Sequence, residues 1–120
     1  FSIDVDGNDF WIWKAMTFNP CIVVIEYNPT LEGKRTIKYD PNHRWTEADN
    51  YFGASFDALI DLGHSKGYKA IAMTAANLIF VRADLWADKE PDLKHTPDPC
   101  WPVSTKEFEE VSVPTTICSS

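Results

Sequence analysis

Apolar residues fall along the first 86 positions in blocks whose spacing predicts alternating strands and helices. Residues 21–27 contain four consecutive β-branched residues, which predicts a strand covered on both faces, as in the interior of a parallel sheet. A shorter run at residues 1–5 predicts another strand. Between the two strands, residues 9–16 are apolar around most of a helical circumference, which predicts a helix buried on more than one side. Strand, helix and strand in this order indicate a parallel βαβ unit.

The following pattern predicts a second helix and a hairpin. Ser55 has the side chain of a helix N-cap, and the apolar stripe that follows it predicts a helix at residues 56–66. Gly67 suits the left-handed position just past a helix end. Residues 69–74 and 78–82 are strand-like, and their short connection requires antiparallel pairing.

Two polar segments complete the chain. Residues 29–54 are long and irregular but carry interleaved aromatic residues, which favours an ordered lid over a disordered loop. Residues 87–120 are acidic and hold five of the eight prolines, which predicts a mostly irregular, partly docked tail. We therefore expect one α/β unit at residues 1–86, followed by a Pro-rich acidic tail.

Charge and cysteine content narrow the classes of function. A net charge of −7 argues against nucleic acid as a partner. No apolar run approaches the roughly 20 residues that span a bilayer, so we expect no membrane span. The three cysteines form no metal-binding pattern, which favours free thiols in a reducing compartment and a cytoplasmic protein. Cys21 is expected to be buried. Cys100 and Cys118 lie in the tail, and their spacing does not decide whether they form a disulfide.

Polar side chains follow the two predicted parallel strands. Asp4, Asp6 and Asp9 stand at the end of the first strand, and Glu26 and Asn28 at the end of the second. Because ligands bind beyond the carboxyl ends of parallel strands, Asp6 and Glu26 are expected to converge there. Two facing carboxylates can share a proton and act as acid or base, or they can hold a divalent cation.

Structural roles for the same side chains stay open. Asp6 or Asn8 can cap the first helix, and Glu26 can form an ion pair with Arg82 or Lys69. In the lid, His43 is a candidate ligand or base, although a loop histidine is more commonly solvated. His64 and His95 are expected at the surface, and Trp11 and Trp13 in the core. The five glycines form neither a GxGxxG nor a P-loop pattern.

Several stretches in a fixed order are similar to one family. The first two are Ser2-Ile3-Asp4-Val5-Asp6-Gly7-Asn8-Asp9-Phe10-Trp11 and Ile25-Glu26-Tyr27-Asn28-Pro29-Thr30. The next are Gly53-Ala54-Ser55-Phe56-Asp57-Ala58-Leu59, Lys66-Gly67-Tyr68 and Asn77-Leu78-Ile79-Phe80-Val81-Arg82. Together they resemble the C-terminal half of FkbM-type S-adenosylmethionine-dependent methyltransferases, over about residues 1–85.

The resemblance implies part of a Rossmann-like sheet of seven strands. The four strands predicted here would lie in the spatial order 4-5-7-6, with the last strand antiparallel and helices packed on the sheet. The Gly-rich cofactor loop would belong to an N-terminal half that is absent from this chain, which begins at Phe1 instead of Met. We therefore expect the chain alone to be inactive.

The resemblance also implies roles for the strand ends. S-adenosylmethionine would be the cofactor, with Asp4 bordering it, and a hydroxyl on a sugar or polyketide-like molecule would accept the methyl group. Asp6 or Glu26 would take the hydroxyl proton, or both would hold a metal ion. The substrate-binding candidates are Asn28, Asp9, His43 and Tyr51. A non-catalytic interaction module and a small acidic metal-binding domain are the alternatives, and the exposed first strand predicts self-association.

Overall fold

The computed structural model describes residues 1–3, 7–43, 50–97 and 106–111. The helices are α1 (Asp9–Ala15) and α2 (Phe56–Ser65), and a 3-10 turn spans Ala83–Leu85. The strands are β1 (Ser2–Ile3), β2 (Ile22–Glu26), β3 (Arg35–Thr36), β4 (Tyr68–Met73), β5 (Asn77–Arg82) and β6 (Glu109–Glu110). No helix in these ranges is long and apolar enough to cross a membrane.

The main sheet has four strands in the order β1-β2-β5-β4. β1 runs parallel to β2, and β5 runs antiparallel to both β2 and β4. The predicted mixed α/β architecture, with two helices and an antiparallel hairpin, is thereby confirmed. The predicted strand order was 4-5-7-6, in the numbering of a seven-stranded sheet. The order observed here, in the numbering of this chain, is different.

One face of this sheet carries the core. Val23 and Ile25 of β2 are fully buried, and they pack with α1, α2 and Phe80 of β5 in a single hydrophobic cluster. On the opposite face, Ile22 is 47% exposed and Val24 is half-buried. The prediction that residues 21–27 are covered on both faces was therefore wrong for the described structure, because both described helices contribute to the same cluster. Cys21, expected to be buried, is exposed.

The side chain of Asn8, at the N-cap of helix α1, makes no capping hydrogen bond. Asn8 occupies the N-cap position, but its amide donates to the Asp40 carbonyl at 2.7 Å and accepts from the Asp40 N–H at 3.1 Å. The predicted cap by Asn8 is therefore wrong, and Asp6 lies outside the described residues. Trp13 is fully buried as expected, while Ile12 is 38% exposed. Hence α1 buries one side and not several.

Both ends of helix α2 agree with the signals in the local sequence. Ser55 Oγ accepts from the Ala58 N–H at 3.2 Å, which is the predicted N-cap bond. Gly67 has φ +84°, the left-handed conformation expected after the helix end. Gly63 lies so close to the Phe80 ring that a β-carbon there would overlap the ring. This close contact seats α2 directly on β5.

The tail contributes structure that the sequence did not indicate. Strand β6 pairs antiparallel with β3 in a separate two-stranded sheet. Further upstream, the Glu90 carboxylate accepts from the Ala70 N–H at 2.7 Å and so covers the outer edge of β4. Glu90 also accepts a hydrogen bond from His64 Nε2 at 2.8 Å, and Leu93 packs against the core.

Candidate functional site

The predicted site lies where the parallel strands β1 and β2 end. Because both strands run in the same direction, residues 7–9 and 26–28 emerge at the same edge of the sheet. Loop residues 43 and 50–52 pack against this edge. We call these four segments, 7–9, 26–28, 43 and 50–52, the rim. Asp4 and Asp6, the predicted cofactor-binding and catalytic residues, lie outside the described residues, so their convergence with Glu26 stays a prediction.

The side chain of Asn28 makes four hydrogen bonds at the rim. Its side chain is buried, and Nδ2 donates to the carbonyls of Asn50 and Phe52, both at 2.8 Å. Oδ1 accepts from the Thr30 N–H at 2.9 Å and from the Thr30 hydroxyl at 2.7 Å. With these four bonds Asn28 fastens the loop to the end of β2, so binding a substrate would require it to give one up.

Asp9 is also buried, at 1% exposure. Its Oδ1 accepts from the Gly7 N–H at 3.0 Å, which folds the segment between β1 and α1 back on itself. The backbone at Gly7 is thereby held in place next to position 6. Asp9 thus supports the residues that follow β1.

Glu26 is the described half of the predicted carboxylate pair. It is half-buried at the end of β2, opposite Asn77 of β5. The two cations suggested as its partners lie elsewhere: Arg82 forms an ion pair with Asp84 at 3.2 Å, and Lys69 Nζ donates to the carbonyls of Trp86 and Asp88. The two ion pairs suggested for Glu26, with Arg82 and with Lys69, are therefore not formed.

Tyr27 links the rim to the hairpin. Its hydroxyl donates to the Thr74 carbonyl at 2.9 Å, and burial raises its pKa above the ordinary 10.0. The His95 ring packs edge-on against Tyr27 and stacks on Phe56. His95 Nε2–H also donates to the Pro29 carbonyl at 2.8 Å. His95, expected at the surface, is instead half-buried.

His43 is placed directly on the backbone of the first strand's end. Its imidazole lies against Gly7 so closely that a β-carbon there would overlap Cδ2. The ring also packs edge-on against Tyr51, with the ring centroids 5.7 Å apart. His43 Nε2 is buried and has no hydrogen-bond partner among the described residues. An unsatisfied buried nitrogen costs about 1–3 kcal/mol, so a hydrogen-bonding group of a ligand would be favoured here, as donor or acceptor according to the His43 tautomer.

Tyr51 packs against the rings of His43 and Phe108. Only 8% of its surface is exposed, and its hydroxyl accepts from the Lys38 N–H at 3.1 Å. The Phe108 ring lies 5.0 Å away, and the Lys106 ammonium lies 5.2 Å above the Tyr51 ring. The tail thus covers a residue predicted to bind substrate.

The described glycines do not form a Gly-rich cofactor loop. Three of the five glycines occupy positive-φ turns, and the other two make room for the rings of His43 and Phe80, so none forms a cofactor cradle. Among the described residues, no three His, Cys, Asp or Glu side chains are grouped so as to hold a metal ion. The metal predicted between Asp6 and Glu26 stays a prediction, because Asp6 lies outside these residues.

A surface cavity of about 580 Å³ opens beside the tail strand. It is lined by residues that the sequence analysis did not single out: Glu32, Gly33, Lys34, Arg35, Glu110 and Val111. None of the rim residues lines it. The available signal was charge patterning, since residues 34–38 are basic and residues 107–110 acidic.

Comparison with known proteins adds no relative. Neither the protein-family models, the curated proteins nor the solved structures include a significant match to this chain.

Proposed function

We propose that this chain supplies the acceptor side of an FkbM-type S-adenosylmethionine-dependent methyltransferase that acts on a hydroxyl group. The observation that carries the proposal is the parallel pairing of β1 and β2, which brings residues 7–9 and Glu26 to one edge of the sheet. Ligands of α/β sheets bind at such an edge. A cytoplasmic location belongs to the same proposal.

The arrangement of β4 and β5 also supports a methyltransferase-like sheet. β5 lies between β2 and β4 and runs antiparallel to both, as the seventh strand of the family sheet does between the fifth and the sixth. The outer edge of β1 has no strand beside it among the described residues. Further strands of the same fold, or a second copy of this chain, would pair there.

The chain's own residues would bind and deprotonate the acceptor. In the proposed site Asp6 or Glu26 takes the proton of the acceptor hydroxyl, which makes the oxygen a better nucleophile. Asn28 and Asp9 keep the surrounding backbone in position through the hydrogen bonds described above. Because the five glycines form no Gly-rich cofactor loop, we expect the 120-residue chain alone to be inactive.

The test uses the longest natural form of the protein that contains this chain. Transfer of a labelled methyl group from S-adenosylmethionine is measured for the wild type, for Asp6→Asn and for Glu26→Gln. Loss of turnover by at least about 100-fold in one variant, with unchanged folding, is expected for removal of a base. Glu32→Gln, at an exposed carboxylate away from the rim, should retain activity.

Two results would overturn the proposal. Wild-type turnover in both Asp6→Asn and Glu26→Gln would remove the base. Measurable affinity of the isolated 120-residue chain for S-adenosylmethionine, by calorimetry, would contradict the assignment of the cofactor site to another part of the fold.

A non-catalytic interaction module is the second candidate. It is favoured by the internal use of Asn28 and by the tail residues that cover Tyr51. Calorimetry of the longest form, first with S-adenosylmethionine and then with Mg²⁺ or Ca²⁺, separates the candidates. Cofactor binding supports the enzyme, metal binding alone supports a metal-binding domain, and binding of neither supports the module.

A further inference from the structure

A basic segment next to the rim pairs with an acidic segment of the tail. We call residues 34–38 the basic edge, since they contain the exposed side chains of Lys34, Arg35 and Lys38. Arg35 pairs with Glu110, and Thr36 pairs with Glu109, in antiparallel register. The Val111 N–H extends the pairing by donating to the Lys34 carbonyl at 2.8 Å. The main chain of the basic edge therefore accepts an added strand.

Charge complementarity accompanies this pairing. Residues 106–111 include three glutamates and face a segment with three cations. Arg35 lies directly opposite Glu110, and opposite charges in that cross-strand relation are favourable. Lys34 already forms an ion pair with Asp61 at 2.6 Å, so the preference for an acidic strand rests on Arg35 and Lys38.

An aromatic anchor fixes the position of the added strand. Phe108 packs against Tyr51 with a centroid separation of 5.0 Å. Tyr51 is itself tied to the basic edge, because its hydroxyl accepts from the Lys38 N–H. Main-chain pairing combined with a site for one side chain is how β-strand addition recognises peptides.

We propose that the basic edge and Tyr51 form a docking site for an extended segment of a partner protein in which an aromatic residue precedes two acidic ones. Residues 106–111 of the chain's own tail have this pattern and occupy the docking site. The described contacts are two residue pairs, one further hydrogen bond, the Phe108 ring and the Lys106 ammonium on Tyr51, which is a small area for a partner segment to displace. The docking site shares Tyr51 with the rim, but its pairing with an added strand does not depend on methyl transfer.

Competition by the tail sets the expected size of the effect. A tethered segment acts at an effective concentration of the order of millimolar, so a partner binds the intact chain more weakly than it binds a chain with a released tail. Weakening the tail contact therefore strengthens binding of an external segment.

The experiment uses the full chain and a fluorescent peptide with the sequence of residues 106–111. By fluorescence anisotropy, Phe108→Ala in the chain should tighten peptide binding by about tenfold or more relative to the wild type. Adding Arg35→Glu to that variant should abolish binding, whereas adding Lys94→Glu, at a lysine with an 83% exposed side chain, should not. A peptide with alanine in place of phenylalanine should bind neither chain.

Circular dichroism confirms the folding of each variant, and Glu110→Lys replaces Phe108→Ala as the tail-releasing change if the latter does not fold. Absence of peptide binding to a folded, tail-released chain would overturn the proposal. Binding that survives Arg35→Glu would do the same. Dimers that form by exchange of residues 106–111, detected by sedimentation, would assign the site to a second copy instead of a partner.

Discussion

The imidazole of His43 leaves no space for a side chain at Gly7: a β-carbon there would overlap Cδ2 of the ring. A loop histidine and the glycine that follows the first strand are thus packed as a pair, 36 positions apart in the sequence. This contact leaves the buried Nε2 of His43 next to Gly7, without a hydrogen-bond partner in the described part of the chain.

Substitution of Gly7 by alanine should destabilise the protein by about 1–3 kcal/mol, because the ring must move to accommodate the methyl group. In a His43→Ala background the same substitution should cost less than about 1 kcal/mol, since the obstructing ring is gone. Urea unfolding of the four proteins in this cycle measures both costs. Equal costs in the two backgrounds would show that the pair is not coupled.

Substitution of Asn28 by aspartate should destabilise the protein by about 3 kcal/mol at neutral pH. The new carboxylate would face the carbonyls of Asn50 and Phe52 without a proton to donate. Protonation restores a donor, so the loss should shrink as the pH falls. Denaturant midpoints across acidic and neutral pH test this expectation. Asn19→Asp, at an exposed position, is the matched control, and an equal loss there would contradict it.

Ser55 holds the beginning of α2 and β3 together. Its hydroxyl accepts from the N–H groups of Ala58 and Arg35 and donates to the Gly33 carbonyl at 2.7 Å. Ser55→Ala should therefore cost about 2–3 kcal/mol, more than the roughly 1 kcal/mol of an ordinary cap. Ser65→Ala, at the other end of the helix, should cost under about 1 kcal/mol. Thermal unfolding that ranks the two variants in the opposite order would refute the role of Ser55.

Two tyrosines should make the fold sensitive to alkali. Burial raises the pKa of Tyr27 and of Tyr68 above 10.0. Their contribution to stability is fully present below pH 10.0, the unfolded value, and is lost as the pH rises through the folded pKa. Stability should therefore fall above pH 10.0, and less so in Tyr68→Phe. Urea unfolding between pH 9 and pH 11.5 measures the slope; an unchanged slope in Tyr68→Phe would exclude its contribution.

The parts of the fold that depend on local chemistry were predictable from the sequence. Ser55 caps α2 because a hydroxyl meets free helical N–H groups at once, and Gly67 ends the helix region because glycine tolerates a positive φ. The hairpin of β4 and β5 follows from a connection too short for any other pairing. Each of these signals lies within about a dozen residues.

The parts that depend on distant segments were not predictable. The coverage of β2 depends on which side the helices occupy, and an apolar run such as residues 21–27 does not specify it. β6 pairs with β3 across more than 70 residues, and its short acidic sequence carries no strand signal. Asn28 shows the same limit at the site, because the sequence placed it at a strand end but could not show that loop carbonyls occupy its amide.

The outer edges of β4 and β1, the two edge strands of the main sheet, differ in the contacts they make. Along β4, Glu90 accepts from the Ala70 N–H, and Lys69 reaches the carbonyls of Trp86 and Asp88. Beside β1, Phe1 stays 55% exposed, and only β2 is paired with it among the described residues. Within the described part of the chain, contacts from the tail therefore occupy the β4 edge of the sheet, and the β1 edge is the one at which a further strand could pair.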